Sequence, residues 1–334
     1  MDMKQSWIDM HCDTLLHTLG DDGSILYDGN GMQSIRQMKD AGQLAQFFAV
    51  FFPPRKDERF FRDPKAPQGA LLSDEEFYQS LKNQLLQGVR KHKDVIAMAK
   101  NAAEILENEK QGRMSAVLTI EDGRLVNGEM KRLKKLREDG VTAIALTWNY
   151  PNCFGYPNSP DPEKRKLGLT DFGKEAVVCM QELGILVDVS HLSDGGFYDV
   201  AELSKRPFIA SHSNCRALSP HLRNLTDEMI RILAEKGGVS GLNFAPEFLT
   251  ADLHNHSSRA EDLAAHVLHM LNAGGEDVIA LGTDFDGIRG EFEIGHPQEM
   301  EQLFALLKKK GITERQMDKF VRGNVLRVLE ELNE

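Results

Sequence analysis

Apolar and polar positions along the chain alternate between short apolar runs and longer amphipathic stretches. Apolar runs at 8–13, 43–52, 115–120, 142–147, 185–190, 208–211, 238–244 and 278–282 read as eight strands. The second of these, through Phe47, Phe48, Val50, Phe51 and Phe52, is almost unbroken. That pattern fits a strand buried on both faces, as in a parallel sheet. Helices are predicted between the strands. Ser73 followed by Asp74, Glu75 and Glu76 opens one, and that helix and the next run to about residue 109. Others are expected at 128–139, from Thr170 to 183, and at 194–203, 225–236, 261–273 and 297–332. Residues 21–31, 55–69 and 151–166 carry Gly, Pro, Asp and Asn and read as loops.

Eight apolar strands, most followed by a helix, predict an α/β fold of the (β/α)8 TIM type. A doubly wound sheet is the alternative. No repeat or linker divides the chain, so 334 residues are expected to form one barrel domain over 1–334.

Composition narrows the function. Hydrophobic content of 41% and charged content of 27% suit a soluble globular protein. A net charge of −11 without a long basic stripe argues against nucleic-acid and anionic-membrane partners. Cys12, Cys153, Cys179 and Cys215 form no C-x-x-C pair, and their scatter suits a reducing compartment. The lead Met-Asp-Met-Lys-Gln-Ser-Trp has no apolar signal region, no apolar run is long enough to span a bilayer, and the end is polar. A cytoplasmic location is the expectation.

The chemistry gathers at strand ends. His11 and Asp13 close the first predicted strand and, by alternation, face the same way, with Cys12 opposite. Taken alone, His-x-Asp is also a common surface pair. Glu121 ends the third strand, His191 the fifth, His212 the sixth and Asp284 the eighth. In a barrel these ends form the active-site rim, and all six residues are metal-ligand or acid–base types. Nitrogen and oxygen donors without thiolate suit zinc, with manganese and cobalt as competitors. Five ligands exceed what one open tetrahedral ion needs. Two ions are accommodated if Glu121 bridges, with His11 and Asp13 on one and His191 and His212 on the other. Asp284 is then the proton shuttle.

In order and spacing, His11-Cys12-Asp13, Thr119-Ile120-Glu121-Asp122-Gly123, Asp188-Val189-Ser190-His191, Ser211-His212-Ser213, Arg223-Asn224 and Gly282-Thr283-Asp284-Phe285-Asp286-Gly287 resemble the renal (membrane) dipeptidase family of zinc peptidases. That family sits within the metal-dependent amidohydrolase superfamily, and the resemblance covers essentially the whole chain. It implies two Zn2+ per chain on the residues above. It also implies hydrolysis of free dipeptides, including those with a C-terminal D-residue, and frequent homodimers. It makes Arg223 the clamp for the substrate α-carboxylate, a role suited to a bidentate guanidinium. One position departs from the family: Leu146-Thr147-Trp148 stands where vertebrate members end the fourth strand in Leu-Thr-His. Trp148 is therefore expected to line the substrate pocket and to alter specificity.

Two other functions compete. One is an amidohydrolase for N-acyl amino acids or cyclic amides, but no Lys stands at a strand end to be carboxylated, while Glu121 does. The other is a non-catalytic metal- or peptide-binding barrel, disfavoured because every ligand position is filled. Among the remaining residues, His254-Asn255-His256 reads as a solvated or lid loop. His266 and His269 read as outer-helix residues, Asp188 as an orienting or structural carboxylate, and Cys12 as a packed thiol. Asp286 competes with Asp284, which lies nearer the strand end.

Overall fold

A computed structural model describes residues 5–21, 23–62, 70–252 and 254–332. Parts of the N-terminal lead and of the loop predicted at 55–69 lie outside them. Eight parallel strands close into a barrel: β1 Ile8–Cys12, β2 Ala45–Phe51, β3 Met114–Glu121, β4 Val141–Ala145, β5 Leu186–Asp188, β6 Ile209–Ala210, β7 Val239–Leu242 and β8 Ile279–Leu281. They run round the barrel in chain order, with β1 paired to both β2 and β8 and closure completed by β2 against β3. The eight apolar runs are these eight strands; β3 extends one residue beyond its predicted run at each end, and the other seven are shorter than predicted.

The strands divide the apolar residues into two cores. Phe47, Val117, Ala143, Leu186, Ile209, Val239 and Ala280 fill the barrel, and Val325, Val328 and Leu329 of the last helix join that cluster. Phe48, Val50, Leu118, Ile120, Val187 and Leu281 belong to the second cluster, between sheet and outer helices. A side chain that faces two such layers must be apolar whichever way it points, which is why β2 reads as a continuous run.

Several features were not legible in the pattern. A three-residue strand, Ile96–Met98, lies within the stretch predicted as two helices and pairs with the start of β3. Three residues carry too little periodicity to announce a strand. Two further short strands, Ser257–Ser258 and Glu291–Phe292, pair beyond the ends of β7 and β8. Helix caps were more legible. Ser73 and Glu76 form the reciprocal capping box, and Thr170 accepts the Gly173 N–H.

β1 is irregular where it matters. Asp9 pairs with Gln46 but Cys12 pairs with Phe48, so β1 holds one extra residue between these points. Ile8 and Met10 belong to the barrel interior, whereas Cys12 packs in the outer cluster. Strict alternation would have kept all three on one face. Bulges of this kind re-aim side chains beside active sites, and here the shift accompanies His11 and Asp13 standing together at the barrel mouth.

Candidate metal centre at the barrel mouth

The six strand-end residues converge. His11 Nε2 lies 3.4 Å from Glu121 Oε2, 3.8 Å from Asp13 Oδ1 and 3.7 Å from Asp284 Oδ1. The other Glu121 oxygen, Oε1, lies 2.9 Å from His191 Nε2 and 3.6 Å from His212 Nε2. His191 Nε2 and His212 Nε2 are 3.1 Å apart. All six residues are at least mostly buried.

These contacts are poorly satisfied by protein alone. His191 Nδ1 bonds the Asn149 side-chain oxygen at 3.0 Å. An amide oxygen only accepts, so in the neutral ring Nε2 carries a lone pair. That lone pair faces Glu121 Oε1 and the other imidazole. His11 Nε2 and Asp13 Oδ1 are buried without a hydrogen-bond partner. Converging lone pairs and orphaned polar atoms are costly in a buried site unless a cation sits among them. His11, Glu121 and His212 form one candidate metal group, and His11, Asp13 and Asp284 another. The residues present therefore fit metal ions.

Electrostatics separates the histidines. Burial alone would lower the His11 pKa, but Glu121, Asp284 and Asp13 outweigh it and raise it to about 10. Burial, with the positive charge of Arg223, lowers His191 to about 4. Burial also holds His212 well below the ordinary imidazole value, and His11 adds to the effect. Asp284 is raised to about 6 by burial, with His11 pulling it back.

Backbone geometry at the strand ends is unusual. His191, Asp284 and Asp286 adopt φ of 69°, 64° and 68°. Non-glycine residues in the left-handed region carry strain and cluster at functional sites. Asp188 Oδ1 accepts the N–H groups of Ser190 and Ser211, both at 2.9 Å, and so joins the turns that present His191 and His212. Its structural role is thereby visible.

Three residues that sequence reasoning passed over support the site. Asp9 accepts two bonds from Thr283, Asn243 Nδ2 donates to Asp284 Oδ2 at 3.0 Å, and Gly287 lies against both Asp13 and Asp284. A Cβ at Gly287 would overlap Oδ2 of Asp13 and Oδ1 of Asp284. Gly287 stood inside a quoted motif, but nothing in one sequence reveals what its missing side chain makes room for.

Asp286 is separated from the cluster by its own bonds. Its Oδ2 accepts from Thr14 Oγ1 at 2.7 Å and its Oδ1 from the Met32 N–H at 2.6 Å. His254 and His256 are exposed and outside the cluster. His266 is buried in an outer helix, and His269 pairs with Asp227 at 2.7 Å. Cys12 is buried and free.

Arg223 is buried beside the cluster. Its Nη1 donates to Ser213 Oγ at 3.4 Å and its Nη2 to the His212 carbonyl at 3.3 Å. Its Nε has no partner, and the guanidinium lies 5.5 Å from the Phe248 ring centre. Among the described residues no carboxylate comes within salt-bridge distance of it. Trp148 packs 5.0 Å from Phe51, 5.9 Å from Tyr150 and 6.1 Å from His191, measured between ring centres. Both residues proposed from sequence to meet the substrate thus stand next to the metal-ligand set. Among the described residues no helix is long and apolar enough to cross a membrane.

Comparison with known proteins places this geometry. The family model of the membrane dipeptidases, peptidase family M19, matches residues 2–334. An uncharacterized protein in the pqqA 5′ region of Klebsiella pneumoniae is 35% identical over 239 residues, which is 70% of this chain and 87% of that protein. The dipeptidase AC, a metallo peptidase of family M19, superposes with a TM-score of 0.87 at 28% identity over 98% of each chain. A metallo peptidase from Rhodobacter sphaeroides, liganded with a phosphinate mimic of the dipeptide L-Ala-D-Ala, also gives 0.87 at 28% identity, over 98% of this chain and 99% of that one. The chain belongs to the membrane dipeptidase family, peptidase family M19, and is a metallo-dipeptidase.

Proposed function

We propose that the protein is a binuclear zinc dipeptidase that hydrolyses free dipeptides, including those with a C-terminal D-residue. The observation that carries this reading is the division of Glu121. One of its oxygens faces His11 and the other faces His191 and His212. Glu121 would thus be shared between one metal held by His11 and Asp13 and another held by His191 and His212. Oxygen and imidazole donors without thiolate favour zinc. The inclusion of D-residues is supported by the ligand of the Rhodobacter sphaeroides relative.

Ions held there would supply Lewis-acid polarisation of the scissile carbonyl and activation of water at neutral pH. The chain's own residues do the rest. Asp284, whose Oδ1 faces His11 at 3.7 Å, takes a proton from the attacking water and returns it to the leaving amine. Asn243 holds one of its oxygens and leaves the other towards His11. Arg223 has donor capacity unused by protein carboxylates and receives the α-carboxylate of the substrate. Trp148 forms an aromatic wall with Phe51 beside His191. Four free cysteines support a reducing, cytoplasmic setting.

The test is amino-acid release from L,L- and L,D-dipeptides, alongside N-acetylated and C-amidated forms, with zinc present and metal content measured. Cleavage of free dipeptides with loss of the C-amidated ones supports both the activity and the Arg223 clamp. Turnover confined to N-acylated compounds would overturn the dipeptidase reading.

A further inference from the structure

A cavity of about 910 Å³ opens beside Asp13, between the loop that follows β1 and the turn that follows β8. Phe51, which lines it, also packs on Trp148, so the cavity joins the aromatic wall of the metal-ligand cluster. Its position relative to Arg223 follows from strand order. Arg223 lies in the loop after β6, whereas the cavity lies over β1, β2 and β8. In a closed barrel of eight strands, β6 and β2 stand on opposite sides. A dipeptide with its carboxylate at Arg223 and its scissile bond at Glu121 must direct its N-terminal residue towards this cavity.

The cavity wall has a specific charge balance. Leu16, Ile25, Phe60 and Ile288 contribute apolar surface. The two carboxylates on the wall are already engaged. Asp13 belongs to the metal-ligand set, and both oxygens of Asp286 accept bonds from Thr14 and Met32. The two guanidiniums on the wall, Arg59 and Arg289, have no carboxylate within salt-bridge distance among the described residues. Arg59 lies 4.6 Å from the Phe60 ring centre. Both are solvent-exposed, and among the described residues neither is engaged by a carboxylate, in a chain whose net charge is −11.

We propose that this cavity receives the side chain of the substrate's N-terminal residue and that Arg59 and Arg289 select an acidic side chain there. A Glu or Asp carboxylate matches the guanidinium fork, and its aliphatic stem matches the apolar wall. Lys and Arg side chains are repelled. The inference rests on the dipeptidase reading with Arg223 at the substrate carboxylate.

The experiment compares kcat/KM for a zinc-loaded enzyme on Glu-, Gln-, Leu- and Lys-D-Ala dipeptides at two ionic strengths. The Glu substrate is expected to exceed its isostere Gln by about tenfold or more, with the ratio shrinking as salt rises. Arg59→Met and Arg289→Met are each expected to bring the Glu/Gln ratio towards unity, with the change mainly in KM. Arg289→Lys is expected to retain part of the ratio. If dipeptides are cut but Glu and Gln are equivalent, or if the ratio survives both Met substitutions, the acidic-pocket inference is wrong while the dipeptidase reading stands. If no dipeptide is cut, the dipeptidase reading fails and the inference fails with it.

Discussion

The carboxylate of Asp9 grips Thr283 with both oxygens: Oδ1 accepts the backbone N–H at 2.8 Å and Oδ2 the hydroxyl at 2.7 Å. Asp9 lies on β1 two residues before His11, and Thr283 precedes Asp284. The pair fastens together the two strand ends that bring His11, Asp13 and Asp284 to one place. Burial raises the Asp9 pKa, and its bonds with Thr283 pull it back. Asp9→Ala leaves the Thr283 N–H buried without a partner. We expect a loss of about 2–3 kcal/mol in stability and of about 10- to 100-fold in zinc affinity. Urea unfolding and competition with a chelator measure the two. Unchanged zinc affinity would show that the pair serves the fold alone.

Gly287 tests the packing of the same corner. The carboxylates of Asp13 and Asp284 occupy the space that a side chain there would need. Gly287→Ala is therefore expected to displace them and lower kcat/KM by about 100-fold. The residue is exposed and outside both hydrophobic cores, so Tm is expected to move by less than about 4 °C. A large fall in Tm with proportionate loss of activity would contradict this account.

The barrel was legible because each strand contributes apolar side chains to two layers, so burial itself writes the pattern. Val117 and Leu118 belong to different cores, yet both must be apolar. The site was legible for a different reason. His11, Glu121, His191, His212 and Asp284 follow apolar runs at the same end of five of the eight strands, where a polar residue needs a purpose. The supports were hidden. Asp9 lies within a strand predicted to be apolar, and its meaning depends on Thr283, far away in sequence. Asn243 reads as a polar residue ending β7 until its bond to Asp284 is known. The cavity beside Asp13 brings together residues of the first two loops with those after β8, a proximity set only when the barrel closes.

Trp148 connects the aromatic wall to the candidate ligand set through its contacts with Phe51 and His191. Trp148→His removes the indole's area and adds a hydrogen-bonding ring in the same place. Relative kcat/KM values across a dipeptide panel are expected to change by about tenfold, the scale on which apolar pocket contacts discriminate. Metal content is expected to stay constant, because the substitution removes no ligand atom from the cluster. An unchanged ranking of the dipeptides would remove Trp148 from the substrate pocket.

His266 provides a pH prediction away from the metal-ligand cluster. It is fully buried, its Nδ1 accepts the Cys215 N–H at 3.1 Å and its Nε2 donates to the Leu249 carbonyl at 3.0 Å. The Cys215 bond requires the neutral ring, since a protonated Nδ1 would face another N–H. Burial lowers its pKa to about 4, against 6.5 for an unconstrained imidazole. Below pH 6.5 the unfolded chain takes up a proton that the folded chain refuses. This contribution to stability is therefore present above pH 6.5 and lost as pH falls towards 4. Between pH 7 and pH 5 the loss amounts to about 2 kcal/mol. Other groups titrate in the same window, so the measurement is a difference. Urea unfolding of the wild type and of His266→Gln, at equal zinc loading, is compared at the two pH values. The stability advantage of the wild type is expected to shrink by about 2 kcal/mol on acidification. A constant advantage would mean that His266 is not kept neutral by the fold.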